Sequence, residues 1–237
     1  MIKLAINGAR GRMGQRIYTL AQEDEGFRVV ALWEKEGHPD IGKKIGELTI
    51  NFHRDNIKEA DCIIDFSSPL ATVDLVNAAE RARRCLVVGT TGFDALQFSR
   101  IEAAAKHIPI LLSPNMSIGV NLLFRLVKEA AGVLSGYKVN IVEAHHVHKK
   151  DAPSGTAKKI ASLINSGGGE VKDIKSIRED EIVGDHRIIF ESDSDKIELL
   201  HSAKTRDIFA QGALQAAKWL VNKPAGLYSM DNVLFDA

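Results

Sequence analysis

Cysteine is scarce in this chain. Only two stand in 237 residues, Cys62 and Cys85, each inside an apolar run (DCIIDF and RCLVVGT) of the kind that buries a reduced thiol. So few exclude a disulfide-stapled scaffold and point to a reducing compartment. Long hydrophobic runs are also lacking. No stretch approaches the ~18 apolar residues that a membrane span needs, and MIKLAINGARGRMG reaches glycine and arginine before any signal-length apolar run. The expectation is a cytoplasmic protein with no membrane partner. Neither sign of charge prevails: 31 Lys and Arg balance 31 Asp and Glu, so no global field draws the chain to nucleic acid. Any cationic site must be local. No internal repeat is visible, and low complexity is confined to the short run SGGGE.

What is present is enough apolar material, 45% of residues, for a sizeable core, and by length two modest domains are expected. Apolar runs at Ile2–Ile6, Arg28–Trp33, Asp61–Phe66, Cys85–Gly89 and Ile108–Leu112 read as strands. Helix-period segments at 13–22, 69–83 and 94–107 fall between them. Unbroken apolar strands alternating with helices imply a parallel sheet covered on both faces, a doubly wound α/β domain. After SPNMSIG the pattern changes. A helix over 120–134 leads to the strand VNIVEA, and a helix over 156–164 is followed by strands near 174–178, 187–190 and 197–200 with no helix between them. That succession predicts a second, smaller α+β domain with a mixed or antiparallel sheet. A last helix over 207–220 could pack on either.

GARGRMG, Gly8 to Gly14, lies between the first strand and the first helix, with glycines at 8, 11 and 14. Glycines at that spacing let the backbone approach a pyrophosphate at a helix N-terminus, where free amides and the helix dipole favour anions. Ala9, Arg10, Arg12 and Met13 complete the loop. Glu34 ends the second strand 20 residues after Gly14, where a carboxylate takes the hydroxyls of an adenosine ribose. Its neighbour Lys35, with Arg10 and Arg12, could instead meet the extra phosphate of NADP. The cofactor signal is therefore mixed, NADH or NADPH. Two more loops, GTTGF with Gly89, Thr90 and Thr91, and SPNMS with Ser113, Pro114, Asn115 and Met116, fall at carboxyl ends of strands, the edge where open parallel sheets bind ligands.

The segment EAHHVHKKDAPSGTA, Glu143 to Ala157, crowds three histidines and two lysines before a proline, serine, glycine and threonine. Metal binding fits poorly, because His145 and His146 point to opposite faces of a strand and Lys149 and Lys150 repel a dication. Nucleic acid fits less well still, without interleaved aromatics or net positive charge. An anionic small molecule fits best. Ser154, Gly155 and Thr156 open a helix whose amides and hydroxyls suit a carboxylate, Lys149 adds a point charge, and a histidine can pass a proton near neutral pH.

GARGRMG, DFSSP, GTTGF, NMSIGVN and above all EAHHVHKKDAPSGTA, with IVGDH and FAQGALQAAKWL later in the chain, closely resemble the dihydrodipicolinate reductase family of lysine biosynthesis. The resemblance implies NADH- or NADPH-dependent reduction of 4-hydroxy-tetrahydrodipicolinate, or the dihydrodipicolinate formed from it, to tetrahydrodipicolinate with loss of water, on the diaminopimelate route. It implies an oxidoreductase with a Rossmann-type domain over 1–116 and 207–237, a substrate and oligomerisation domain over 117–206, and a homotetramer. By matching positions, His145 and Lys149 would be catalytic. His146, Ser154, Gly155 and Thr156 would bind substrate carboxylates, and Gly8 to Met13, Glu34, Lys35, Gly89 to Thr91 and Ser113 to Met116 would bind cofactor, with no metal. The family's arginine-x-glycine reads Arg178-Glu179-Asp180 here, and Ser202 stands where a basic residue is common. The alternatives are another two-domain Rossmann-type oxidoreductase, or a non-catalytic nicotinamide-sensing protein. The first would lack the HHxHKxDAPSGT segment, and the second would be expected to carry a DNA-binding helix that is not found.

Overall fold

A computed structural model describes residues 1–236. Its elements run β1 (Ile2–Asn7), α1 (Arg12–Gln22), β2 (Phe27–Trp33), β3 (Lys44–Ile45), β4 (Leu48–Asn51), β5 (Cys62–Asp65), α2 (Pro69–Ala82), β6 (Cys85–Val88), α3 (Ala95–Ala105) and β7 (Pro109–Leu112). They continue with α4 (Ile118–Val133), β8 (Lys138–His145), α5 (Gly155–Ser166), β9 (Glu170–Arg178), β10 (Gly184–Glu191), β11 (Lys196–Ala203), α6 (Asp207–Leu220), β12 (Gly226–Tyr228) and α7 (Met230–Phe235). The chain folds as two compact units, one built from Met1–Ser117 and the residues from Phe209 onward, the other from Ile118–Ile208.

The first unit carries an eight-stranded sheet in the order β12-β7-β6-β5-β1-β2-β4-β3. Neighbours are parallel except for the antiparallel β3–β4 hairpin at one edge. The α/β reading of this half is the observed fold. Its central strands are short and mostly apolar because both faces are covered: all four residues of β5 and of β6 are buried. Side chains alternate between the faces. Leu4, Ile6, Ile64 and Val87 pack against Ile17 and Ala21 of α1 and Ala213, Ala217 and Leu220 of α6. Ala5, Ile63, Leu86 and Ile110 meet Leu75 and Val76 of α2 and Ile101 of α3 on the other side. Each fully buried Ile or Leu contributes roughly 1.5–3 kcal/mol.

Local signals set the helix ends. Pro69 opens α2, where its missing N–H costs nothing. Asp94 and Gln97 form a reciprocal capping box at α3. The hairpin β3–β4, the edge strand β12 and the helix α7 have no counterpart in the sequence reading, since two to six residues show no resolvable period.

The second unit holds a four-stranded mixed sheet in the order β11-β10-β8-β9, antiparallel at β11–β10 and β10–β8 and parallel at β8–β9. Leu123 and Val127 of α4 and Ile160 and Ile164 of α5 pack on Val139, Ile141, Ile188 and Phe190. Along β8 alternate residues are buried, Val139, Ile141, Glu143 and His145. β9 begins at Glu170, ahead of the expected 174, because its leading residues are mostly exposed and carry little apolar signal. No helix among the described residues is long and apolar enough to cross a membrane.

Candidate active site

Two constellations hold the residues singled out in the sequence, one in each unit. In the first unit they gather at the carboxyl ends of the parallel strands β1, β2, β6 and β7. Gly8 has φ +77°, and a Cβ there would stand 2.4 Å from the Phe66 carbonyl oxygen. A Cβ on Gly14 would stand 2.2 Å from the Gly8 carbonyl oxygen, so α1 can begin this close to β1 only with glycine in its first turn. Gly11 caps α1 without a side-chain hydrogen bond, and the first-turn amides of a helix have no partner within it. This cradle suits a pyrophosphate.

Both Glu34 carboxylate oxygens accept backbone amides, Oε1 from Arg10 at 3.0 Å and Oε2 from Lys35 at 3.1 Å. The acidic residue is thereby fixed against the glycine loop. Arg10 itself reaches Asp40, its Nε 2.5 Å from Oδ2, and Lys43 Nζ is 2.6 Å from Oδ1 of the same carboxylate. Lys43 and Arg10 hold the Asp40 carboxyl below the usual range. Gly11, Arg12 and Lys35 are exposed, Met13 is half-buried, and Ala9 is buried.

Asp65, at the end of β5, is a fully buried carboxylate on which these loops are strung. It accepts from Asn7 Nδ2 (2.6 Å), Ser67 Oγ (2.6 Å), Thr72 Oγ1 (2.5 Å) and Thr90 Oγ1 (2.8 Å), so the ends of β1 and β5, the start of α2 and the loop after β6 are tied together. Thr90 also accepts from the Ser67 amide, at 2.9 Å. Its hydroxyl is thus occupied within the unit, and Thr91 beside it is exposed. Gly89 packs under the Phe66 ring, 2.2 Å from where its Cβ would be. Ser113 donates to the Asn115 carbonyl at 2.8 Å and Asn115 Oδ1 accepts the Ser117 amide at 2.9 Å, a self-bonded turn with Pro114 outermost and Met116 buried.

In the second unit the centre is Glu143, to which spacing in the sequence assigns no role. It is fully buried on β8, and alternation puts His145 on the same face. Its Oε1 accepts Arg178 Nη2 at 2.9 Å and the Ser154 amide at 3.3 Å. Its Oε2 accepts Arg178 Nη1 at 3.1 Å and a short hydrogen bond from His145 Nδ1. Burial works to raise the Glu143 pKa, but Arg178, Ser176 and His145 outweigh it and hold the carboxyl at about 2. Glu143 is therefore ionised and His145 has its Nδ1–H committed, leaving Nε2 as the free proton site. Burial pushes the His145 pKa down, the Glu143 carboxylate opposes that, and the Lys149 and Arg178 cations add to it.

His186 of β10 lies directly across from Glu143 in the sheet register. Its ring meets that of His145 edge-on at 5.2 Å, and its Nε2 is 3.2 Å from Ser154 Oγ. Burial and the neighbouring His145 drive its pKa down to about 4. Ser154 in turn caps α5, its hydroxyl accepting the Ala157 amide at 3.1 Å. Lys149 reaches Asp151 at 2.7 Å, and its backbone amide turns back to the His146 carbonyl at 3.1 Å. Val147, His148 and Lys150 are exposed, whereas His146 and Thr156 are half-buried. Among the described residues no group of His, Cys, Asp and Glu could hold a metal ion.

Both departures from the family pattern have a local structure. Asp180 stands at φ +45°, where the resemblance leads to an expectation of glycine; aspartate tolerates this left-handed region better than most residues, and the Asp180 carbonyl accepts the Val147 amide at 3.3 Å. Ser202 is the register partner of Asp185 and donates to it at 2.5 Å, a neutral donor on the carboxylate.

A doubly wound parallel sheet opened by a glycine cradle with a fixed carboxylate beside it, in one chain with a unit built around a buried carboxylate–imidazole pair, defines a nicotinamide-dependent oxidoreductase of the Rossmann type. Family models narrow the class: the dihydrodipicolinate reductase N-terminus matches residues 2–116 and the C-terminus matches 119–234. The chain belongs to the dihydrodipicolinate reductase family. Among curated relatives, the 4-hydroxy-tetrahydrodipicolinate reductase of Syntrophus aciditrophicus is 38% identical over 99% of this chain and 98% of its own. That of Parvibaculum lavamentivorans is 40% identical over 98% of this chain and 97% of its own. The fold is that of the dipicolinate-bound dihydrodipicolinate reductase from Paenisporosarcina sp. TG-14, with a TM-score of 0.81 at 24% identity over 97% of both chains. Aspartate semialdehyde dehydrogenase II from Vibrio cholerae shares it more distantly, with a TM-score of 0.62 at 13% identity over 94% of this chain and 99% of that one.

Proposed function

We propose that this chain reduces 4-hydroxy-tetrahydrodipicolinate to tetrahydrodipicolinate with loss of water, using NADH or NADPH, on the diaminopimelate route to lysine. One observation carries the reading: the segment from Glu143 to Thr156 folds so that an ionised, buried carboxylate orients His145 and a helix start follows immediately at Ser154. A Cβ on Gly155 would meet no atom within 4 Å, so packing does not call for glycine there. A carboxylate drawn close to the amides at the start of α5 would.

The cofactor, when bound, supplies the hydride. Gly8 to Met13 would hold its pyrophosphate, Glu34 and Lys35 its adenosine ribose, and Gly89 to Thr91 with Ser113 to Met116 its nicotinamide half. His146, Ser154, Gly155 and Thr156 would grip the substrate carboxylates. A ring that accepts hydride becomes an enamine-like anion that needs a proton, and His145 at Nε2 and Lys149 at Nζ are the groups with protons to move. Lys149 also adds positive charge beside the dicarboxylate. Arg178 does not compete for substrate, because both of its terminal nitrogens are spent on Glu143 and backbone carbonyls. The protein is expected to be a cytoplasmic homotetramer with no nucleic-acid or membrane partner.

The test is oxidation of NADH and of NADPH, followed at 340 nm, with the product of dihydrodipicolinate synthase formed in the same cuvette. Substrate-dependent oxidation is expected. None with either nucleotide would sink the proposal, and light scattering of the purified chain would test the tetramer.

A further inference from the structure

The residues around Glu34 carry a choice that the glycine loop alone does not make. Discrimination between NADH and NADPH turns on whether a phosphate on the adenosine ribose meets cations or carboxylates. The cations near that place in the fold include Arg10 in the loop, Lys35 beside Glu34 and Lys43 in the turn after β2, with Arg12 exposed at the start of α1. Two of them are already committed. Arg10 Nε and Lys43 Nζ lie 2.5 and 2.6 Å from the two oxygens of Asp40, whose side chain is only 16% exposed. The turn that presents Asp40 is itself hydrogen-bonded. His38 donates its amide to the Lys35 carbonyl at 3.1 Å, the Asp40 amide donates to His38 Nδ1 at 3.2 Å, and the Lys43 amide donates to the Asp40 carbonyl at 3.0 Å. The carboxylate is therefore held in place rather than swinging on a loose loop.

We infer that Asp40 sets the nucleotide preference: it neutralises Arg10 and Lys43 and places a second negative charge near Glu34, so that a ribose hydroxyl is accepted and a ribose phosphate is penalised. The inference rests on the proposed nicotinamide-nucleotide binding at the glycine loop. Asp40 acts through Arg10 and Lys43, and is a specificity residue without a part in the chemistry. Sequence spacing does not reveal it, because its partners lie 30 residues before it in the chain and three residues after it.

Asp40→Asn removes the charge at constant shape and releases both cations. The measurement is equilibrium binding by titration calorimetry, with NADH and NADPH and with the fragments ADP and 2′,5′-ADP, which lack the nicotinamide. A released arginine that meets a phosphate should lower the ratio of NADPH to NADH dissociation constants about fivefold to tenfold. The 2′,5′-ADP to ADP ratio should fall in parallel, and both gains should shrink as salt is raised. Combining Arg10→Gln with Asp40→Asn in one chain should return the ratios toward wild type. Ratios unchanged within twofold in Asp40→Asn, with nucleotides still bound, would overturn the inference and leave the proposed activity intact. A wild-type chain that bound none of the four compounds would overturn both.

Discussion

Glu143→Gln puts the buried pair to a direct test. The carboxylate has four N–H groups converging on two oxygens, Arg178 Nη2 and the Ser154 amide on one, Arg178 Nη1 and His145 Nδ1 on the other. An amide of the same shape must turn its NH2 toward one of those pairs. If it faces Ser154, an arginine donor and a backbone amide lose their acceptor. If it faces His145, the imidazole moves its proton from Nδ1 to Nε2, which is the site that would exchange a proton with substrate. Either way Arg178, with a side chain 19% exposed, keeps a charge whose partner is gone. Breaking a buried pair in this manner costs about 3–5 kcal/mol, which at about 2 °C per kcal/mol for a chain of this size lowers the melting temperature by at least ~6 °C. Misplacing or mis-protonating the acid–base group costs about 100-fold or more in kcat. Glu143 raises the His145 pKa through its hydrogen bond and its charge, so in the variant the limb of the pH–rate profile that His145 governs moves to lower pH. Three measurements apply: a melting curve, kcat against pH, and the tautomer of His145 from 15N shifts. A variant that melted within 2 °C of wild type, turned over within about threefold of it and kept that limb of its profile in place would refute the reasoning.

Two glycines should part company. In Gly14→Ala the new Cβ meets backbone at 2.2–2.9 Å, and overpacking of about 2–3 kcal/mol should appear as a melting temperature lower by roughly 4–12 °C. Gly155→Ala meets nothing within 4 Å, so its melting curve should stay within about 2 °C of wild type while KM for the dicarboxylate rises about tenfold or more; an unchanged KM would remove Gly155 from the substrate grip. The buried His186 predicts acid sensitivity. Its folded pKa lies below its ordinary value, at about 4 against 6.5, so the stability it contributes is whole above pH 6.5 and is lost as pH falls toward 4. That difference amounts to roughly 3 kcal/mol at 1.36 kcal/mol per pH unit, and urea midpoints at pH 7 and 4.5 measure it. His186→Asn should flatten the dependence, and an equal slope in the two proteins would contradict the assignment.

The alternation of apolar strands with helix-period segments made the doubly wound sheet legible, because strands buried on both faces have no polar side to confuse the pattern. The glycine turn and the position of Glu34 beside it were legible for a related reason: both are local, set by a turn and the strand after it. Glu143 was half-legible. It stands two residues before His145, and that spacing alone puts both on one face of β8. Its partners Arg178 and His186 lie 35 and 43 residues further along, and only the pairing of β8 with β9 and β10 brings them in. Asp65 and Asp40 escaped in the same way, one at a strand end and the other in a turn, each tied to at least one donor far away in the chain. The three-residue strand β12 was too short to announce itself.

That strand and the helix before it bear on how the protein is made. The unit that holds the glycine cradle leaves the chain at Ser117 and resumes at Phe209, and the edge strand that pairs with β7 arrives only with Gly226. The other unit, Ile118–Ile208, is contiguous and has its own apolar core. On a ribosome adding about 5–20 residues per second, the histidine-bearing unit is complete while the parallel sheet still waits for α6 and its last strand. Birth order is thus reversed relative to chain order, and the nascent first unit, with the α1 face of its sheet lacking α6, is the stretch on which a chaperone would have most to shield.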